Sequence, residues 1–143
     1  MLKIKDSYAT LPAQDIERAR KFYEGKLGLT PDQVTPDGGV VFRFGNTGFT
    51  VFPSTGKASG DHTQIALEVP DVEEAVKELK RNGVNPEEYD FPGFKTEGGI
   101  LTMGDEKAAW FKDSEGNLLS LGPQRTAAEM SATGGRSTTT NGH

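Results

Sequence analysis

No cysteine occurs in the 143 residues, so a disulfide framework, a thiolate nucleophile and a cysteine-ligated zinc site are all excluded. Long apolar runs are missing as well. The opening MLKIKDSYATLP breaks its apolar residues with polar ones, and no uncharged stretch approaches the ~20 apolar residues of a membrane helix. The expectation is a soluble cytoplasmic protein with no membrane partner. An excess of positive charge is also absent, because 16 Lys and Arg against 21 Asp and Glu leave a formal net charge of -5. The basic residues are scattered rather than gathered on one stripe, which argues against nucleic acid as a partner. Histidine is scarce too, with His62 and His143 the only two.

What the chain does have is enough apolar content for a core, 34% of 143 residues, in a length usual for one domain. It also has an internal repeat. DIERARK from Asp15 to Lys21 returns as DVEEAVK from Asp71 to Lys77, with Asp, Glu, Ala and Lys at matching positions and Ile16 answered by Val72. A short alternating stretch precedes each copy, SYATLP and QIALEVP, and reads as a strand with one apolar face.

Each copy then turns helical for local reasons. Asp15 and Asp71 stand as N-caps whose carboxylates accept from free amides of the first turn, and Glu74 completes a box-like arrangement with Asp71. Ile16, Ala19, Phe22, Tyr23 and Leu27 recur at helical spacing, as do Val72, Ala75, Val76 and Leu79. Gly28 and Gly83 supply left-handed stops. Glu17 with Lys21 and Glu73 with Lys77 are spaced as stabilising pairs on the solvated faces, each contributing about 0.2–0.5 kcal/mol.

Strand patterns follow both helices. The first half offers GGVVFRF, a GNTG turn and FTVFPS; the second offers a glycine-punctuated stretch, AAWFKD, a turn at SEGN and LLSLGP. The closing hairpins align Gly48 with Gly116, Phe42 with Trp110 and Pro53 with Pro123. Two copies of βαβββ result, one over about 5–55 and the other over about 60–124, within a single domain spanning 1–124. Residues 125–143, rich in Thr, Gly and Ser, are expected to be a disordered tail.

YATLPAQDIERARKFYEGKLGL resembles the first strand and helix of vicinal-oxygen-chelate domains, and AAWFKDSEGNLLSL resembles their final hairpin. The likeness covers roughly residues 5 to 124. It implies the α+β fold of the glyoxalase and bleomycin-resistance proteins, in which two βαβββ modules form paired curved mixed sheets and enclose a cup between them. Metal-dependent members of that superfamily place one ligand on the first strand and one on the last strand of each module. By motif those positions fall on Tyr8 and its repeat mate Gln64, and on Ser120 and its counterpart Thr50, or Phe52 if the register slips by two. None of these side chains offers the imidazole or carboxylate that such metals need. The expectation is therefore no metal and no cofactor, with the polar groups free to hydrogen-bond a ligand.

The resemblance and the residues together give a reading of function. Tyr8, Phe42, Phe44, Phe52, Phe91, Phe94 and Trp110 supply aromatic surface of the kind that lines small-molecule sites, and Tyr8, Thr50, Phe52, Gln64, Trp110 and Ser120 are the expected ligand-binding set. Catalytic residues are not assigned. Asp37, Glu68, Asp90 and Glu97 would suit a cationic ligand. A metal-independent binding protein, similar to the drug-sequestering members and forming a homodimer, is the leading reading. A metal-dependent lyase or isomerase of glyoxalase type, or a dioxygenase, using His62 with carboxylates is the alternative, and an acid–base catalyst using Tyr8 or His62 is a third. For His62 itself, an exposed place in the GKASGDHTQ loop is preferred over a role as ligand or base.

Overall fold

Two aspartates start the two helices in the same way. Asp15 and Asp71 have extended backbones, and their side chains accept from the backbone N–H three residues on, at Arg18 and Glu74. The computed structural model describes residues 1–124, so the expectation of a disordered tail over 125–143 lies outside the described residues. The first helix, α1 (Ile16–Arg20), widens into a π-helix over Lys21–Lys26, closed by a backbone bond from Leu27 to the Phe22 carbonyl. A single continuous α-helix was the sequence expectation. The wider turn lets two adjacent rings, Phe22 and Tyr23, both pack inside. The second helix, α2 (Val72–Arg81), is regular and buries Val72, Val76 and Leu79. Gly28 and Gly83 follow the helices with φ of 70° and 82°, a region open to glycine at little cost. Among the described residues the pairs formed within the helices are Arg20–Glu24 and Glu74–Lys77, not the expected Glu17–Lys21 and Glu73–Lys77.

The chain divides into two compact units, Met1–Gly60 with Lys112–Asn117, and Asp61–Phe111 with Leu118 onward. In the first, β1 (Ala9–Ala13), β2 (Gln33–Val34), β3 (Val40–Phe44) and β4 (Thr47–Pro53) form a sheet in the order β1-β4-β3-β2. β1 runs parallel to β4, and the others are antiparallel. Leu11, Ala13, Val40, Phe42, Phe49 and Val51 are buried with Ala19, Phe22 and Tyr23. Tyr23 lies 5.5 Å from Phe42 and 5.6 Å from Phe49, ring centre to ring centre.

In the second unit, β5 (Ile65–Val69), β8 (Ile100–Met103), β9 (Glu106–Lys112) and β10 (Leu118–Pro123) form the order β5-β10-β9-β8. Parallel β5 and β10 repeat the pairing of β1 and β4, with Leu119 opposite Ile65 as Phe49 is opposite Ala9. That register makes Thr50 and Ser120 equivalent, as their motifs imply. A further two-stranded hairpin, β6 (Asp90–Phe91) and β7 (Phe94–Lys95), turns at Pro92–Gly93. The fold is thus α+β, two modules each built on a four-stranded mixed sheet.

One alignment of the hairpins needs correcting. Gly48 lies inside β4, because the first turn is the two residues Gly45 and Asn46, whereas Gly116 lies in a longer connection from Asp113 to Asn117. The longer turn shifts the second hairpin, and Phe111, not Trp110, takes the buried role of Phe42. Trp110 therefore points to the other face of its sheet.

Candidate functional site

Alternation along the strands separates a core face from an outer face in each unit. In the first unit Phe49 and Val51 are core, so Thr50 and Phe52 share the outer face, where Val41 lies opposite Thr50. Thr50 is nonetheless 8% exposed, and Phe52 is half-buried. Tyr8 precedes β1 by one residue and is 71% exposed. His62 is exposed and outside any strand.

In the second unit Leu119 and Leu121 are core, which leaves Ser120 on the outer face opposite Ala66. Gln64, two residues before Ala66, has the same parity, and its side-chain oxygen accepts from the Leu118 N–H at 3.2 Å. Neither the Ser120 hydroxyl nor the Gln64 amide NH2 has a partner among the described residues. On β9, Ala109 and Phe111 are core, and half-buried Trp110 stands on the outer face between them. Thus the structure groups Gln64, Trp110 and Ser120 in one unit and Tyr8, Thr50 and Phe52 in the other.

Trp110 is the centre of a ring cluster that the sequence reading only partly anticipated. Its indole lies 5.4 Å from Phe94 and 5.7 Å from Tyr89, and Tyr89 in turn lies 6.1 Å from Phe91. The indole is fixed at its far end, where Nε1 donates to the Thr63 hydroxyl at 3.1 Å. Thr96 clamps the base of the hairpin: its hydroxyl accepts from the Tyr89 N–H at 2.9 Å and donates to the Glu88 carboxylate at 2.5 Å. Phe91, at the hairpin's end, is 58% exposed. Rings at these spacings that stay half-buried or exposed offer apolar surface that a bound molecule can cover. Tyr89 and Glu87 went unassigned in the sequence reading. The Pro-Gly turn between Phe91 and Phe94 was the available signal, since such a turn folds flanking residues into a hairpin and brings their rings together.

Glu87 is tied to the same place by its backbone, its N–H donating to the Trp110 carbonyl at 2.7 Å. Partial burial pushes the Tyr89 hydroxyl above its ordinary pKa, and the negative charge of Glu87 adds to that rise. Glu87 forms no salt bridge among the described residues.

A second polar cluster belongs to the first unit. The buried Asp113 carboxylate accepts from the Tyr23 hydroxyl at 2.5 Å, the Asn117 side chain at 2.7 Å, and the backbone N–H groups of Glu115 and Asn117. Beside it, Glu115 takes a two-pronged contact from Arg18 at 2.7 and 2.9 Å. The Arg18 guanidinium, aided by Ser114 and the Asp15 N–H, holds the Glu115 carboxyl well below its ordinary range, at about 2. Asn117 reaches back to the Pro12 carbonyl. The carboxylates of Asp113 and Glu115 are both engaged around the 113–117 turn, so the cluster reads as a lock on backbone geometry, with the buried Asn117 Oδ1 left without a partner among the described residues.

Among the described residues no three His, Asp or Glu side chains gather as a metal site. The positions mapped to metal ligands carry a phenol, two hydroxyls and an amide whose oxygen is already bonded to Leu118. That donor chemistry does not fit a divalent transition metal.

A family model described as the Glyoxalase/Bleomycin resistance protein/Dioxygenase superfamily matches residues 7–121. No curated protein sequence matches the chain significantly. Among solved structures, the fosfomycin resistance protein FosX from Listeria monocytogenes aligns with a TM-score of 0.64 at 16% identity, covering 90% of this chain and 98% of its own. A bleomycin resistance determinant encoded on the transposon Tn5 aligns at 0.63 with 19% identity, covering 86% and 100%. UcmS2 aligns at 0.65 with 17% identity, covering 86% and 100%.

Proposed function

The chain belongs to the glyoxalase/bleomycin resistance protein/dioxygenase superfamily, and from that premise we propose that it binds a small organic molecule without the help of a metal. The observation that carries the proposal is the partly exposed ring cluster around Trp110, joined on the same sheet face by two polar groups, the Ser120 hydroxyl and the Gln64 amide NH2, that have no partner among the described residues. Apolar walls with a few placed donors are what small-molecule sites require. Tyr8 and Thr50 are assigned to ligand contact as well, on the strength of their equivalence to Gln64 and Ser120, and Phe52 because it shares the face of Thr50. Two of the structural neighbours carry the names of drugs in their own descriptions, fosfomycin and bleomycin. A homodimer and a cytoplasmic location complete the reading; no helix among the described residues is long and apolar enough to cross a membrane.

Isothermal titration against a broad panel of small organic molecules, in the presence of a chelator, tests the proposal. Saturable binding of at least one compound, weakened by Ser120→Ala, is the expected result. Binding or turnover that appears only when Mn, Fe, Ni or Zn is added would replace it with the metal-dependent enzyme.

A further inference from the structure

We propose that the Trp110 cluster is a cation subsite, and that the ligand it takes carries a quaternary or delocalised organic cation placed over the rings beside Glu87. The inference rests on the small-molecule reading above and names the chemistry of its ligand. Three observations carry it. First, four rings lie within one connected set, Tyr89, Phe91, Phe94 and Trp110, with neighbouring centres 5.4 to 6.3 Å apart. Ring faces are the negative part of an aromatic quadrupole and attract a poorly hydrated cation, more strongly as water is excluded. Secondly, Glu87 is half-buried, anchored through its N–H to the Trp110 carbonyl, and has no basic side chain paired with it among the described residues. A partly desolvated carboxylate without a cationic partner gains from one that a ligand brings. The same charge adds to the rise that burial causes in the pKa of the Tyr89 hydroxyl.

Thirdly, the bases of the Asn85–Gly99 segment do not cancel this charge. Lys95, the one base between Asn85 and Gly99, stands directly opposite Asp90 in the hairpin. Lys80 is committed to the Gly98 carbonyl at 3.0 Å. The segment holds Glu87, Glu88, Asp90 and Glu97 against Lys95, a net charge of -3 from four acids and one base. Glu88 is occupied by the Thr96 hydroxyl and Glu97 is exposed, which leaves half-buried Glu87 as the carboxylate for the ligand. An anionic ligand would meet like charge here, and a neutral one would leave Glu87 as it is.

The test compares benzyltrimethylammonium with its uncharged isostere neopentylbenzene, followed by the fluorescence of Trp110, the single tryptophan of the chain. The full chain is used, with Glu87→Gln and Phe91→Ala as variants; both residues lie outside the core, so thermal unfolding should match the parent. The cation is expected to change the fluorescence saturably and to bind at least tenfold more tightly than the isostere, with Glu87→Gln removing most of that preference and Phe91→Ala weakening both compounds. Equal binding of the two, or a preference untouched by Glu87→Gln, would overturn the cation subsite and leave the small-molecule reading standing. If neither compound perturbs Trp110 while the broad panel yields a ligand bound elsewhere, the subsite is wrong; if the panel also fails, the small-molecule reading falls with it.

Discussion

Asp113 is the residue on which the 113–117 turn depends, because its two oxygens accept from one phenol, one amide and two backbone N–H groups. Tyr23→Phe removes one of these bonds and is expected to lower stability by about 1.5–3 kcal/mol in urea unfolding, the range for hydrogen bonds to charged groups. Asp113→Ala leaves every donor without its acceptor and is expected to cost more than Tyr23→Phe. Glu115 makes a pH prediction. Its folded pKa is depressed to about 2, below the ~4.3 of an unfolded glutamate. Its stabilisation is therefore present above about pH 4.3 and is lost as pH falls toward 2. Glu115→Gln is expected to flatten the stability curve across that window, and a parallel decline in both proteins would contradict it. Such locks are hard to read in a sequence. Tyr23 and Asp113 lie 90 positions apart, and nothing local in either marks the other as its partner. Glu87 and Tyr89 escaped the sequence reading for the same reason, since their meaning comes from Trp110.

At the scale of elements, the helix starts were legible because capping is local chemistry: an aspartate, an extended backbone and a free N–H three residues on. Asp71→Ala is expected to cost about 1 kcal/mol, measurable by chemical denaturation, with no change in the sheet pairing. The strands were legible as strands, yet the face of Trp110 was only reached through its parity with other positions, and its pairing with Phe42 was wrong. A side chain changes face with every one-residue shift, and the five-residue connection Asp113–Asn117 cannot be aligned by residue type with the two-residue turn at Gly45–Asn46. The π-helix at Lys21–Lys26 was illegible too, because the spacing of Ile16, Ala19, Phe22, Tyr23 and Leu27 satisfies an ordinary helix equally well.

For the whole molecule, the repeat of DIERARK and DVEEAVK carried most of the fold, since two similar segments in similar settings dictate two similar modules. The ligand is different, being a property of surfaces that loops assemble. The hairpin from Asp90 to Lys95 and the clamp at Thr96 arise from turn geometry and a single hydroxyl, and they decide which rings face solvent. Under the proposed function, a small organic molecule covers the Trp110 cluster without a metal. The measurement that tests it most directly is titration of chelator-treated protein with a small-molecule panel, read by Trp110 fluorescence in the parent chain and in Phe94→Ala. A saturable, chelator-insensitive change is expected for at least one compound, weakened severalfold or more in the variant. A response that requires added metal, or is unchanged when Phe94 is removed, would contradict it.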